Sequence, residues 1–358
     1  MLTDKEKLRY NRQMILPELG EIGQNKLKTA KVLVVGAGGL GCPALQYLSA
    51  AGVGTIGVID DDSVDISNLH RQIMYNEGDI GKQKVLCIKE KLVQANPHVE
   101  IRSYPERLTV ENALEIIEQY DIVLDGSDNF ATRYLVNDTC VILKKPFVYG
   151  AIFQFEGQVS VFNYNNSPTY RCLFPEPPAE GTMPSCSEAG VIGILPGIIG
   201  SFQASEVIKM ITGIGEPLAG QLFMIDLRTN SSNTIRFKAN PENLLINQLK
   251  ENYNDATCSV KGAISEIDAV ELKAWLEEDN NAIQLIDVRE KHEFEAKNIG
   301  GENLPLSSFG QYLTQIKATK KTVVCCQSGT RSKVAMERIK EVYPKIKIYN
   351  LRNGIAAF

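Results

Sequence analysis

The 358-residue chain has no apolar run near the roughly 18 residues that a membrane-crossing helix needs, so no membrane span is expected. It also lacks an excess of positive charge. The formal net charge of −5 argues against a dedicated nucleic-acid binder. No apolar signal core follows the polar opening Met1-Leu-Thr-Asp-Lys-Glu-Lys7, and a cytoplasmic, reducing compartment is expected. In that compartment the 8 cysteines are thiols, nucleophiles or metal ligands rather than structural disulfides. Cys42, Cys87 and Cys140 sit in expected helices among apolar neighbours and read as small buried hydrophobes. The length suggests two domains, and 44% hydrophobic with 23% charged residues suits a soluble globular protein.

What is present begins with Val32-Leu-Val-Val-Gly-Ala-Gly-Gly-Leu-Gly41. A β-branched apolar run, a glycine turn and a helix-compatible segment from Cys42 to Ala51 predict a strand, a tight turn and a helix N-terminus. That is the opening unit of a Rossmann-like, doubly wound α/β sheet. Gly36 suits the sharp turn, Gly38 lets a phosphate approach the backbone, and Gly41 lets helix and strand pack closely. The first-turn N–H groups of the helix then face an anion. A second apolar run, Ile56-Gly-Val-Ile59, ends in Asp60, close to the spacing at which a carboxylate meets a ribose hydroxyl. The pattern predicts nucleotide binding. NAD remains an alternative at this point, and with it a dehydrogenase.

Upstream, Thr3-Asp-Lys-Glu6 has the form of a capping box, followed by an arm containing Arg12. Downstream of Asp60 lies a polar, donor-rich stretch in which Ser67, Asn68 and Arg71 can face a phosphate chain. Lys84 falls in the first turn of the next helix, whose buried face is expected to hold Val85, Ile88, Leu92 and Val93. A cation there opposes the helix dipole, an arrangement that makes sense with a polyanion in front of it. Asp121-Ile-Val-Leu-Asp125 runs into Gly126-Ser-Asp128-Asn129, which places Asp128 and Asn129 on the same carboxyl-end rim as Gly36–Gly41 and Asp60. Asp128 reads as a Mg²⁺ ligand through oxygen, as the N-cap of a helix over Ala131–Leu143, or as both. Residues 163–187 form a long irregular stretch with Pro175, Pro177, Pro178 and Pro184, and it carries Cys172 and Cys186. Residues 241–262 read as a polar linker.

An α/β pattern restarts at Ala263. A helix is expected over Ile267–Glu278, with strands over Gln284–Val288 and Thr322–Cys325. Cys326-Gln-Ser-Gly-Thr-Arg331 then places a thiol at a strand end beside a glycine loop, an arginine and a helix N-terminus. Such surroundings favour a thiolate. Strand alternation points Cys325 the opposite way, into a core.

Residues 1–240 resemble the MoeB/ThiF group, bacterial relatives of ubiquitin-activating enzymes. The likeness rests on Gly36–Gly41, Ser67-Asn-Leu-His-Arg-Gln72, Lys84, Asp128-Asn129, Glu188-Ala-Gly-Val191 and the arm Arg9-Tyr-Asn-Arg-Gln13. Residues 263–358 resemble a rhodanese domain through Asp287-Val-Arg289 and Cys326–Arg331. The resemblance implies an ATP-dependent adenylyltransferase acting on the C-terminal Gly-Gly of a ubiquitin-like sulfur carrier, in the manner of molybdopterin or thiamine biosynthesis. By position it implies nucleotide contacts at Gly39, Asp60, Asn68, Arg71 and Lys84, and Mg²⁺ at Asp128. It also implies a homodimer in which Arg12 reaches the partner's ATP. For the second half it implies a Cys326 persulfide fed by a sulfur donor such as a cysteine desulfurase. Cys186 takes the place of the family's second cysteine. A non-enzymatic carrier scaffold, or an adenylyltransferase with an inert rhodanese module, remains the alternative.

Two departures qualify the likeness. Where relatives carry two Cys-x-x-Cys pairs for structural Zn²⁺, this chain has Thr169, Cys172, Asn243 and Ile246, and no zinc is expected. The usual Gly-His-Ile reads Lys297-Asn298-Ile299, and the terminal Gly-Gly…Trp reads Asn353-Gly354…Phe358. Elemental analysis of the purified protein is expected to return zinc near zero, and one zinc per chain contradicts the reading.

Overall fold

The computed structural model describes residues 1–177, 190–253, 265–279, 282–317, 320–327, 329–343 and 346–358. They form two compact units, one before and one after residue 256.

The first unit is built on an eight-stranded sheet of order β3-β2-β1-β4-β5-β6-β7-β8. Its strands are β1 Lys31–Val35, β2 Thr55–Ile59, β3 Glu100–Tyr104, β4 Ile122–Asp125, β5 Phe147–Phe153, β6 Glu156–Phe162, β7 Gln221–Asp226 and β8 Ser231–Arg236. Pairing is parallel from β3 through β5 and antiparallel from β5 to β8. On β1 the side chains alternate between two cores. Val32 and Val34 join one with Leu45, Ile88 and Ile199, whereas Leu33 and Val35 join the other with Ile116, Leu135 and Phe147. Burial on both faces explains why this strand reads as a continuous apolar run.

The helices are α1 Asp4–Met14, α2 Gly20–Thr29, α3 Gly41–Ala51, α4 Lys84–Ala95, α5 Ala113–Glu118, α6 Phe130–Ile142, α7 Tyr170–Leu173 and α8 Ile194–Thr212. On α4 the buried face is Val85, Cys87, Ile88 and Leu92, and Val93 is exposed, one position off the expected stripe. The 19-residue α8 is long and apolar enough, by length and composition, to cross a membrane, contrary to the expectation that no segment qualifies. In this fold Leu195, Ile199, Ala204 and Val207 pack into the sheet core, and Gln203 and Glu206 are buried with them. Cys42, Cys87 and Cys140 are buried thiols, as expected. The stretch read as a linker is in part a piece of this unit. Leu249 and Tyr253 pack against the core, and Tyr253 Oη donates to Asp138 Oδ2 at 2.7 Å. Isolated apolar anchors in a polar run leave no periodic signal.

The second unit is a five-stranded parallel sheet of order β11-β10-β12-β13-β9. Its strands are β9 Ser265–Ile267, β10 Ile283–Asp287, β11 Glu302–Asn303, β12 Lys321–Cys325 and β13 Ile348–Leu351, and its helices are α9 Ala269–Asp279, α10 Lys291–Ala296 and α11 Thr330–Val342. The expected helix over Ile267–Glu278 therefore begins two residues late, because Ile267 belongs to the edge strand β9. β13 escaped the sequence reading, although its Ile346-Lys-Ile348 approach alternates with period two.

The capping box at α1 is formed. Glu6 N donates to Thr3 Oγ1 at 3.3 Å, and Glu6 Oε2 accepts from Thr3 N at 2.7 Å and Lys28 Nζ at 2.8 Å. Burial opposes the Glu6 charge, but these bonds prevail and hold its carboxyl at about 2, below its ordinary 4.5. A carboxyl lowered by folding stabilises above its unfolded pKa, and that contribution is lost as the pH falls through the folded value. Glu6→Gln is expected to lose about 2 kcal/mol at pH 7, a deficit that shrinks between pH 4.5 and 2 in thermal melts.

Candidate active sites

At the carboxyl end of β1 the chain turns through Gly36 at φ +95°, where a Cβ would stand 2.8 Å from the Gly126 carbonyl oxygen. Gly126 N donates to Val35 O at 2.8 Å, so the loops after β1 and β4 are in direct backbone contact. This is the point where strand order reverses, and the crevice outside it is where open α/β sheets bind ligands. A Cβ on Gly41, the first residue of α3, would stand 2.0 Å from Gly36 O. A Cβ on Gly38 would meet only Gln72 Nε2 at 3.6 Å, which leaves that side of the turn open. Gly39 is flanked by Pro196 and Arg71.

Asp60 closes the neighbouring side. Its Oδ2 accepts from Ala37 N at 2.7 Å and its Oδ1 from Asp62 N at 2.8 Å, and burial raises its carboxyl pKa. Tyr75 Oη donates to Ala37 O at 2.7 Å, so Ala37 is held at both its N–H and its C=O. The sequence reading missed Tyr75, which has no motif to mark it. Lys84 is the first residue of α4 and only 4% exposed, with Nζ 2.7 Å from Asp62 Oδ2. Ser67 and Asn68 lie in a 3₁₀ turn capped by Asp65. Ser67 Oγ is 2.6 Å from Asp65 Oδ1, and Arg71 Nη1 donates to Ser67 O at 2.9 Å.

After β4, Asp128 is exposed, and its carboxylate has no hydrogen-bond partner among the described residues. It is not the N-cap of α6. That role belongs to Asn129, whose Oδ1 accepts from Thr132 N at 2.9 Å because the helix begins at Phe130. Beneath this loop lies a buried pair that the sequence did not announce. Asp125 Oδ1 accepts from Ser127 N and Oγ at 3.0 and 2.6 Å, and Arg133 Nε lies 3.7 Å from Asp125 Oδ2. Arg133 Nη2 also donates to Ser127 O at 3.2 Å, and Gln203 Nε2 donates to Asp125 O at 2.7 Å.

Arg12 stands apart. Helix α1 is tied to the far end of α3 through Gln13 Nε2 to Ala51 O at 2.8 Å, about 15 Å along that helix from Gly41. Cys186 and Glu188 lie outside the described residues.

The four positions that match a zinc site supply one thiol, one hydroxyl, one amide and one alkyl group, a set that does not fit tetrahedral zinc. Cys172 is nevertheless engaged in hydrogen bonds. Its Sγ accepts from Thr169 N at 3.4 Å and Asn240 N at 3.2 Å, with Asn243 Nδ2 at 4.0 Å. Beside it, Arg171 is bidentate on Asp138 at 2.7 and 2.8 Å.

In the second unit, Cys325 and Cys326 point into opposite cores, as alternation requires, and both are fully buried. Burial raises the Cys325 thiol pKa. Gly329 N donates to Cys326 Sγ at 3.1 Å at the start of α11. Arg331 corrects an expectation. Its guanidinium is bidentate on Glu293 at 2.7 and 2.9 Å, and so is not an uncompensated cation for the thiol. The same pair holds the Glu293 carboxyl at about 2. Arg289, paired with Asp287 at 2.7 Å, donates to Lys297 O at 2.6 Å and anchors the variant Lys297-Asn298 segment.

The chain matches the ThiF family over residues 10–246 and the Rhodanese-like domain over residues 268–358. It is 54% identical over 244 residues to the Thermus thermophilus sulfur carrier protein adenylyltransferase, covering 67% of this chain and 90% of that one. It is 42% identical over 372 residues to a Mycobacterium tuberculosis protein named as the probable adenylyltransferase/sulfurtransferase MoeZ, covering 100% of this chain and 94% of the relative. The Escherichia coli MccB structure with a MccA variant superposes with a TM-score of 0.59 at 23% identity, over 65% of this chain and 73% of that one, a likeness of fold.

Gly41→Ala is expected to destabilise the first unit by about 2 kcal/mol, because the clash is with backbone. Gly38→Ala is expected to change the melting temperature little. Equal effects in paired thermal melts contradict this account of the turn.

Proposed function

This chain belongs to the ThiF family and carries a C-terminal rhodanese-like domain, and we propose that it activates a ubiquitin-like sulfur carrier with ATP and then transfers sulfur to it. The carrier's C-terminal Gly-Gly carboxylate attacks the α-phosphorus of ATP. Pyrophosphate leaves and an acyl adenylate forms. Gly36, Gly38, Gly39 and Gly41 line the phosphate side, and Asp60 meets the ribose. Ser67, Asn68, Arg71 and Lys84 steady the polyphosphate and the charge that develops on it. Asp128, with Asn129 beside it, would hold Mg²⁺, which supplies charge neutralisation between phosphate oxygens. Arg12 serves the ATP of a partner subunit in a homodimer, a state supported by the exposed Leu8, Ile15, Leu16 and Ile22 around the arm.

The observation that carries this reading is the rim itself. It combines an open Gly38 face, a nearly buried lysine opening α4 and a carboxylate at Asp128 that has no partner among the described residues, all at the carboxyl end of the parallel strands. A dehydrogenase reading does not account for Lys84 and Asp128 on this rim, an arrangement suited to a metal-bound triphosphate.

For sulfur transfer, a Cys326 persulfide, loaded by a cysteine desulfurase or similar donor, attacks the acyl carbon through its terminal sulfur and AMP leaves. A second thiol, Cys186 or an external one, then attacks the Cys326 sulfur, forming a disulfide and releasing the thiocarboxylate. We propose a cytoplasmic, zinc-free enzyme, whose carrier decides between a molybdopterin and a thiamine type of pathway. The full burial of Cys326 favours a second reading, in which the rhodanese unit is inert.

ATP–pyrophosphate exchange with the cognate carrier tests adenylylation, and thiocarboxylate formation tests the role of Cys326. Lys84→Ala and Asp128→Asn are each expected to lower exchange by about 100-fold or more. Cys326→Ala is expected to retain exchange and lose thiocarboxylate formation. Absence of exchange with the correct carrier overturns adenylylation, and thiocarboxylate formation undiminished in Cys326→Ala leaves the inert reading standing.

A further inference from the structure

Among the described residues, the groups within hydrogen-bonding reach of the Cys326 sulfur are uncharged. Gly329 N donates to Sγ at 3.1 Å, and Ser332 Oγ lies 3.5 Å away. Ser332 is fully buried, and its hydroxyl also meets two oxygens, Gly329 O at 2.9 Å and Asn350 Oδ1 at 2.5 Å. Asn350 is 1% exposed and donates through Nδ2 to Glu266 Oε1 at 3.2 Å. Glu266 in turn takes Lys333 Nζ at 3.1 Å and Arg352 Nε at 3.4 Å. A chain of bonded side chains thus runs from an ion pair at the protein surface to a buried thiol.

Its polarity follows from hydrogen counting. A hydroxyl has one hydrogen and two lone pairs, and a carboxylate only accepts. The Glu266 carboxylate, kept ionised by its Asn350 hydrogen bond and its two cations, requires the Asn350 amide nitrogen on its side. Asn350 therefore shows Ser332 an acceptor. Gly329 O is an acceptor as well, so the one hydroxyl hydrogen of Ser332 is directed to an oxygen. Its lone pairs face the thiol and accept the S–H.

We propose that Ser332 and Asn350 are positioning residues for the sulfur chemistry of Cys326, with Asn350 holding the Ser332 hydroxyl turned away from the sulfur in the resting thiol. When the thiol proton is lost, rotation about Cβ–Oγ brings the Ser332 hydrogen onto Sγ, where it joins the Gly329 N–H. The thiolate gains a second donor, and Asn350 gives one up. Ser332 therefore favours the thiolate, and Asn350 opposes it. The charged groups nearby are already committed: Asp287 to Arg289, Arg331 to Glu293, and Lys333 and Arg352 to Glu266. The inference rests on the reading of Cys326 as the sulfur-carrying nucleophile.

The test is the pH profile of iodoacetamide labelling of Cys326 in the reduced full chain, read by mass spectrometry of its peptide. Ser332→Ala is expected to raise the thiol pKa and slow labelling at neutral pH by about tenfold. Ser332→Thr is expected to keep the parent profile. Asn350→Leu is expected to shift the profile the other way, toward easier ionisation. Glu266→Gln, at the outer end of the chain of bonds, lets the Asn350 amide turn over and shifts the profile in the same direction as Asn350→Leu, and it reports even where Asn350→Leu does not fold. A merely structural role moves all the destabilised variants alike. An unchanged profile in Ser332→Ala, or shifts of the same sign for Ser332→Ala and the Asn350 or Glu266 variant, overturns the proposal. Labelling needs neither ATP, carrier nor sulfur donor, so its outcome is independent of whether the sulfur-transfer reading holds.

Discussion

The backbone contact between Gly36 and Gly126 is the constraint on which the first unit depends. Two loops that follow neighbouring parallel strands meet without side chains between them, and Gly41 closes on Gly36 from the helix side. Only this closeness lets the first turn of α3, the Asp60 carboxylate and the Asp128 loop share one crevice. The open flank at Gly38 follows from the same geometry, since the crowded positions are those that face inward.

Charge buried beneath the crevice keeps the loops in place. Arg133 and Asp125 are a pair whose partial removal leaves an uncompensated ion, typically at about 3–5 kcal/mol. Ser127 and Gln203 take up Asp125 oxygens, so the loop that displays Asp128 is anchored from below while Asp128 itself has no partner among the described residues. Lys84 and Asp62 form a second pair near the opening, one partner nearly buried and the other exposed. The loops of the rim therefore rest on buried hydrogen bonds and charges.

Much of this was legible before any coordinates. The strand–turn–helix unit, the Asp60 spacing and the opposite facing of Cys325 and Cys326 follow from periodicity and from what glycine allows. Tyr75, Arg133 and Gln203 were not legible, because each acts on a loop distant in sequence and none has a local pattern. The cap of α6 was misplaced by one residue, since Asp128 and Asn129 are chemically interchangeable at an N-cap. The pairing of Arg331 was not legible, because its partner, Glu293, lies 38 residues away. Ser332 lay inside a recognisable loop, yet its importance depends on Asn350, which sits on a strand too short to announce itself.

Cys172 supports a different consequence. The turn at Thr169–Cys172 and the turn at Asn240–Asn243 are joined by backbone N–H groups that converge on a single sulfur, next to a buried arginine–carboxylate clamp that also receives Tyr253. Such a joint is made by the chain's own backbone donors and one sulfur. Because both turns lean on one thiol, an alkylating agent or an oxidant that reaches that sulfur unfastens them together.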